Sequence, residues 1–278
     1  MELSEADLKH LQAAERSLLN YFDEICKKLS IVYFACGGTL LGAIRHKGFI
    51  PWDDDIDVMV GYDDYQKLIT MYETVKTPGY SIEIHGKFPD LALPMAKIVI
   101  DNSAFVEKGT AKLNLLHGIW LDVFPLVAFP ENRLKQEKLN ILCKAYCHQA
   151  MRLSRDQRKK GDFLKDVVSS FLTSFRSYRN CAAKLLSIID ETNRKYKKSK
   201  YVTLFFYGCS PYEAVSFKKG HYSKFDDTLI FIPDDYEDYL QKSFGDYMTL
   251  PPLSEQKGHH SVEYFSLTQK FENPLTKK

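Results

Sequence analysis

The sequence predicts an α+β protein, in which short apolar strands are interspersed with amphipathic helices and the middle of the chain forms a helical lobe. Three observations predict it. A strand-like run at 31–35 is broken by Gly37 and Gly38 and followed at once by an apolar helix pattern at 39–44. Runs at 80–84, 95–101 and 118–127 are short, apolar and rich in β-formers. Longer stretches at 4–29, 62–75, 131–153 and 163–198 carry helical patterns.

Taken in order, the first helix places Leu8, Leu11, Leu18, Phe22, Ile25 and Leu29 on one face, and Ser4 can cap it. At the glycine turn that follows the first strand, the backbone can approach a ligand with no Cβ in the way. The N–H groups opening the next helix, at Thr39, favour a phosphate. The helix at 62–75 sets Tyr65, Leu68, Ile69 and Tyr72 on one side and stops at Pro78-Gly79. Lys97 is the one charge inside the strand that covers 96–100; it is either a lysine snorkelling at a sheet edge or a phosphate contact. From Pro130 the chain turns helical and basic, with a charged connector at 155–161. Arg194, Lys195, Lys197, Lys198 and Lys200 suit a helix C-terminus and a solvated face, and such a basic face also suits an anionic lipid surface. The last third is aromatic, mostly for packing, although aromatic faces also attract quaternary ammonium groups. The chain thus divides into a core at 1–130, a helical lobe at 131–200 and an aromatic segment at 201–278 that completes the site.

The 278 residues are 45% hydrophobic and 27% charged, an ordinary globular composition. A net charge of only +2 excludes a general nucleic-acid binder. No apolar run approaches the ~20 residues that span a bilayer, and the first residues form a charged helix pattern unlike a signal peptide, so a cytoplasmic protein is expected. Cys26, Cys36, Cys143, Cys147, Cys181 and Cys209 form no CxxC pair and read as reduced core thiols.

The chemistry is concentrated at Asp53, Asp54, Asp55, Ile56, Asp57 and Val58. In a strand, Asp55 and Asp57 share one face and the apolar residues take the other. Two such carboxylates repel by roughly 4 kcal/mol at about 4 Å and an effective dielectric near 20, which a divalent cation relieves. Oxygen ligands of this kind suit Mg²⁺ or Mn²⁺ completed by substrate phosphates; the plain alternative is a solvated acidic turn. An EF-hand is excluded, because a loop starting at Asp53 would have Val58 where Gly is needed and Asp64 where Glu is needed. Asp122, between Leu121 and Val123, is costly in a strand unless paired or on a metal, and is read as the third carboxylate or as a salt-bridged structural one. His259 and His260 have phosphate-binding or proton-transfer potential, though a histidine pair in a polar tail is often inert.

The run RHKGFIPWDDDIDV, with Gly37 and Gly38 before it, resembles the LicD family of phosphocholine transferases, which is related to the fukutin-type ribitol-phosphate transferases. Further matches are Trp120-Leu121-Asp122-Val123-Phe124-Pro125, and Gly245-Asp246-Tyr247-Met248 through Pro251-Pro252 to His259-His260. The resemblance implies a nucleotidyltransferase-like mixed β-sheet flanked by helices, with Gly37 and Gly38 against the donor phosphates and Asp55, Asp57 and Asp122 on Mg²⁺ or Mn²⁺. It implies that Asp122 also takes the acceptor proton, that Arg45 and His46 contact phosphate, and that Trp52 packs or stacks near the donor. Thr39, Lys97, His259 and His260 complete the expected substrate-binding set. The donor implied is CDP-choline. The acceptor is a sugar hydroxyl of a cell-surface glycan precursor of teichoic acid or lipopolysaccharide type, either free or lipid-linked at the inner membrane face, and CMP is released.

Rival readings are a ribitol- or glycerol-phosphate donor, or nucleotidyl transfer with release of pyrophosphate. A glycosyltransferase with an Asp-x-Asp metal site is disfavoured by the arrival of that motif as early as residue 57. A non-catalytic choline or glycan binding module would leave the clustered carboxylates without a purpose.

Overall fold

The computed structural model describes residues 3–154 and 163–272. The charged connector expected at 155–161 lies outside the described residues.

Helix α1, Glu5–Leu29, is capped as expected: the Asp7 N–H donates to Ser4 Oγ at 3.1 Å. Next come β1, Tyr33–Ala35, and α2, Gly37–Arg45, which starts on the glycines themselves. Then follow β2, Asp57–Gly61; α3, Tyr62–Val75; β3, Tyr80–Glu83; β4, Ala96–Ile100; and β5, Ala104–Glu107. Strand β6, Trp120–Phe129, is buried along all of its 10 residues. That burial explains a sequence that is apolar on both faces instead of alternating.

The main sheet runs β1-β2-β6-β4-β3, with β2 parallel to β6 and the other neighbours antiparallel. The expected mixed sheet with flanking helices is therefore present. Strand β4 lies inside it, so Lys97 is not an edge residue and its burial needs another account.

The lobe consists of α4, Arg133–Ser154; α5, Phe163–Leu172; and α6, Tyr178–Tyr196. One helix was expected across 163–198; the structure divides it. Ser174 and Phe175 adopt positive φ, which ends α5, and Ser177 accepts the Asn180 N–H to start α6. Lobe residues Cys143, Tyr146, Cys147, Leu185 and Ile189 belong to the same hydrophobic cluster as β2 and β6. The cysteines are free, five of them buried.

Five strands follow that the sequence pattern did not mark. Strand β7, Tyr201–Leu204, pairs with the second half of β6, and β8, Tyr212–Glu213, pairs with β7. Strands β9, Gly220–Phe225, and β10, Thr228–Pro233, form a hairpin turned at Asp226, which takes positive φ. After α7, Tyr236–Phe244, strand β11, Val262–Ser266, pairs with β5. A second hydrophobic cluster of Leu11, Val99, Phe105, Ile119, Trp120 and Val262 fastens this C-terminal strand to the body of the protein. Among the described residues, no helix is long and apolar enough to cross a membrane.

Candidate active site

Strand register assembles a row of charges across the sheet. Asp57 of β2 lies opposite Asp122 of β6, Asp122 opposite Lys97 of β4, and Lys97 opposite Glu83 of β3. Residues in register share a face. Lys97 Nζ stands 3.2 Å from Asp122 Oδ1 and 3.7 Å above the Trp120 ring, whose Nε1 donates to Asp122 Oδ2 at 3.1 Å. The ammonium reaches Oδ1 outside hydrogen-bonding geometry, which leaves that buried oxygen with no hydrogen-bond donor among the described residues. Lys97 is buried because it is the counter-charge of this row.

The turn into α2 fits closely around the aspartates. The Asp57 N–H donates to Thr39 Oγ1 at 2.8 Å, and the Cys36 N–H donates to the Asp57 carbonyl at 3.1 Å. Gly37 has φ +53°, and a Cβ there would sit 2.7 Å from Asp57 Oδ2; one on Gly38 would sit 2.6 Å from Asp53 Oδ2. Both glycines are thus required by the carboxylates that crowd them. The Gly37 N–H donates to Tyr239 Oη at 2.9 Å, so α7 braces this turn.

The acidic loop is pinned from two sides. Gln12 Nε2 of α1 donates to the Asp53 carbonyl at 2.9 Å. Asp54 accepts the His259 and His260 N–H groups at 3.0 and 3.1 Å and pairs with His260 Nδ1 at 3.1 Å. His260 stands 4.0 Å from Asp55 and 3.9 Å from Glu107, with its ring edge-on to Phe105 and Trp120. Beneath lies Glu15 of α1, buried, with Oε2 lacking a hydrogen-bond partner among the described residues.

Charge crowding shows in the acidities. Burial pushes Asp57 well above the usual carboxylate range, and the charges of Asp55, Asp122 and Asp53 add to it while Lys97 opposes. Asp53, Asp55, Asp122 and Glu15 are raised as well, burial being the first cause in each. Asp54 is the exception: burial would raise it, but the His260 hydrogen bond and the two backbone N–H groups bring it below its ordinary value. Burial would lower His260, yet Asp54, Asp55 and Glu107 carry it up to about 9. Burial raises Glu83 to about 7, although the Leu116 N–H, which donates to Glu83 Oε2 at 2.7 Å, works the other way.

A cleft of about 360 Å³ opens over this row. Of the residues expected from the sequence, it brings together Gly38, Asp55, Asp57, Lys97, Asp122, His259 and His260. Gly37 and Thr39 lie behind the lining. Arg45, His46 and Trp52 stand apart: Arg45 donates to the Tyr247 and Thr249 carbonyls at 2.8 and 3.3 Å, and His46 meets Trp52 edge-on at 6.3 Å. Arg45 thus fastens the end of α2 to the C-terminal segment, while His46 packs on the loop that carries Trp52. Sequence reasoning missed the roles of Asp53 and Asp54, although both stand in the acidic run, and missed Glu107, Glu15 and Phe124; Phe206 and Tyr207 stand in the aromatic last third, where spacing could not single them out. Glu107 lies on a strand that no pattern marked.

Asp54, Asp55 and His260 offer ligand atoms within 4.8 Å of one another, a group that could hold a metal ion. The trio expected from the sequence, Asp55, Asp57 and Asp122, shares only Asp55 with it.

Residues 30–88 match the family model described as LicD/FKTN/FKRP, nucleotidyltransferase domain. The chain is 28% identical over 272 residues to the lipopolysaccharide cholinephosphotransferase LicD of Haemophilus influenzae, covering 94% of this chain and 98% of that protein. It is 34% identical over 94 residues to an uncharacterized protein of Rickettsia typhi, covering 31% of this chain and 29% of that one. A similar protein of Rickettsia prowazekii is 32% identical over 89 residues, 29% of this chain and 32% of that one.

Proposed function

We propose, for a chain that belongs to the LicD/FKTN/FKRP nucleotidyltransferase-domain family, that this cleft moves phosphocholine from CDP-choline to a sugar hydroxyl of a cell-surface glycan precursor and releases CMP. The observation that carries the reading is the register of Asp57 on Asp122, with Asp55 beside them. Like-signed carboxylates, with Asp122 buried and one of its oxygens lacking any hydrogen-bond donor among the described residues and Asp55 and Asp57 half-buried beside it, form a donor set for a hard divalent cation. Asp55, Asp57 and Asp122 would hold it. The register that sets Asp57 against Asp122 with Asp55 beside them supports the all-carboxylate set, while His260 is engaged through Nδ1 with Asp54. Mg²⁺ or Mn²⁺ bound there neutralises charge on the diphosphate oxygens.

The chain's own residues do the rest. Gly38 lets the opening turn of α2 approach the diphosphate. The acceptor oxygen attacks the choline-side phosphorus, its proton passes to Asp122, and the bond from that phosphorus to the CMP oxygen breaks. Lys97 and Trp120 hold Asp122 in place. His259 lines the mouth and suits a phosphate oxygen.

Choline is favoured over ribitol or glycerol by the far wall. Phe124, Phe206 and Tyr207 offer aromatic faces, a setting that suits a quaternary ammonium group better than a neutral polyol. An acceptor of lipopolysaccharide type takes its support from the name of the Haemophilus relative, and the protein would meet it at the inner face of the membrane.

The test is product identification with Mg²⁺, a panel of CDP-alcohols, CTP, ATP and UDP-sugars, and a glycan precursor extract. CMP from CDP-choline, dependent on acceptor, is the expected result. CMP from CDP-ribitol alone, pyrophosphate from a triphosphate, or UDP from a sugar donor would overturn it in favour of the corresponding rival.

A further inference from the structure

Helices α4 and α5 lie against each other with an apolar groove of about 510 Å³ between them. One wall is a helical stripe of α4 that includes Ile141 and Lys144, and the other a stripe of α5 that includes Lys165, Val168 and Leu172. Tyr207 closes one side. Ile141 and Val168 remain 52% and 49% exposed, a large exposure for aliphatic side chains that line a concave surface.

Two features indicate what occupies it. The first is continuity with the catalytic cleft: Tyr207 lines both spaces. It stacks edge-on against Phe206 at 4.8 Å, and Phe206 against Phe124 of β6 at 5.0 Å, so an aromatic ladder leads from one to the other. The second is charge. Lys144 and Lys165 line the groove beside its aliphatic side chains. A molecule that spans both spaces must have a polar end at the carboxylates, a negative group near the lysines and an aliphatic chain between the helices.

We propose that the α4–α5 groove binds the hydrocarbon chain of an anionic, lipid-linked acceptor while its sugar hydroxyl reaches the carboxylate cleft. This rests on the reading of the cleft given above. The volume falls in the range of ordinary small-molecule sites, about 300 to 1,000 Å³, so the groove takes a segment of chain and leaves the remainder in the membrane.

The test is titration of the full chain with dodecyl phosphate below its micellar concentration, beside dodecanol, inorganic phosphate and phosphatidylglycerol vesicles. The expected result is saturable binding of dodecyl phosphate, weaker binding of dodecanol and none of phosphate. Ile141→Glu should reduce dodecyl phosphate affinity at least tenfold with an unchanged melting temperature. Val168→Glu provides a second variant should the first fail to fold. Equal binding by wild type and both variants would overturn the proposal, as would binding confined to vesicles, which would mark a membrane-docking face instead. Nucleotide release from CDP-choline with a short water-soluble glycan is measured in parallel. Release without dodecyl phosphate binding overturns the groove alone; binding without release from any donor overturns the reading of the cleft.

Discussion

At the scale of the residue, Asp57, Asp122, Lys97 and Glu83 form a row in which one lysine stands among three carboxyl groups. Removing Lys97 leaves Asp122 buried without its counter-charge, and Lys97→Met should cost about 3 kcal/mol in equilibrium denaturation, as broken buried pairs do. Asp57 behaves in the opposite way. Its ionised form is disfavoured by burial and by its neighbours, so Asp57→Asn in a chelator should melt above wild type while transfer falls about a thousandfold. Calorimetry with chelator and turnover with Mg²⁺, each on wild type and variant, check the two halves. Glu83 supplies a pH signature. Its pKa rises from 4.5 to about 7 on folding, so between those values the folded state binds more protons than the unfolded one. Stability is therefore lost as pH rises through that window, by about 3 kcal/mol in all for this group. Glu83→Gln keeps an acceptor for Leu116 and should flatten that loss; denaturation profiles of wild type and variant that run parallel from pH 4.5 to 7.5 would contradict it.

At the scale of the element, the first turn of α2 and strand β11 determine whether the row becomes a site. Gly37→Ala puts a methyl against Asp57 Oδ2 at a φ of +53°, which should cost about 1 to 2 kcal/mol and reduce transfer, with melting and turnover as the measurements. Strand β11 follows directly on His260, so His260→Ala should lower activity about 10- to 100-fold through the loosened Asp54–Asp55 loop. The two elements differ in legibility. The α2 turn could be read because Gly-Gly between a strand and a helix has local meaning, and α1 and α3 could be read from periodicity and a capping serine. Strand β11 pairs with β5 across more than half of the chain, and a pairing of that kind leaves no local pattern. The break between α5 and α6 escaped because Ser174 and Phe175, neither glycine nor proline, take the positive φ. The β9–β10 turn at Asp226 escaped for the same reason.

At the scale of the molecule, one hydrophobic cluster runs from α1 through the sheet and lobe to α7, and the carboxylate cleft lies where sheet, lobe and C-terminal segment meet. The central carboxylates were legible because charge inside an apolar strand is conspicuous. The cleft's walls were legible only in part: His260 was expected, but Glu107, Met151 and Phe206 reach it from distant stretches with no local pattern that joins them. The basic pair Arg45 and His46 illustrates the converse: a motif can mark residues whose contacts here are with carbonyls and a tryptophan outside the cleft lining. What the assembled cleft does is most directly tested by following the transferred atoms. CDP-choline labelled with ³²P in the choline-side phosphate and with ¹⁴C in the choline is incubated with Mg²⁺ and acceptor, using wild type and Asp57→Asn. The account predicts both labels in the glycan in equal amounts from wild type and neither from the folded variant. Both labels released as free phosphocholine, or undiminished transfer by Asp57→Asn, would contradict it.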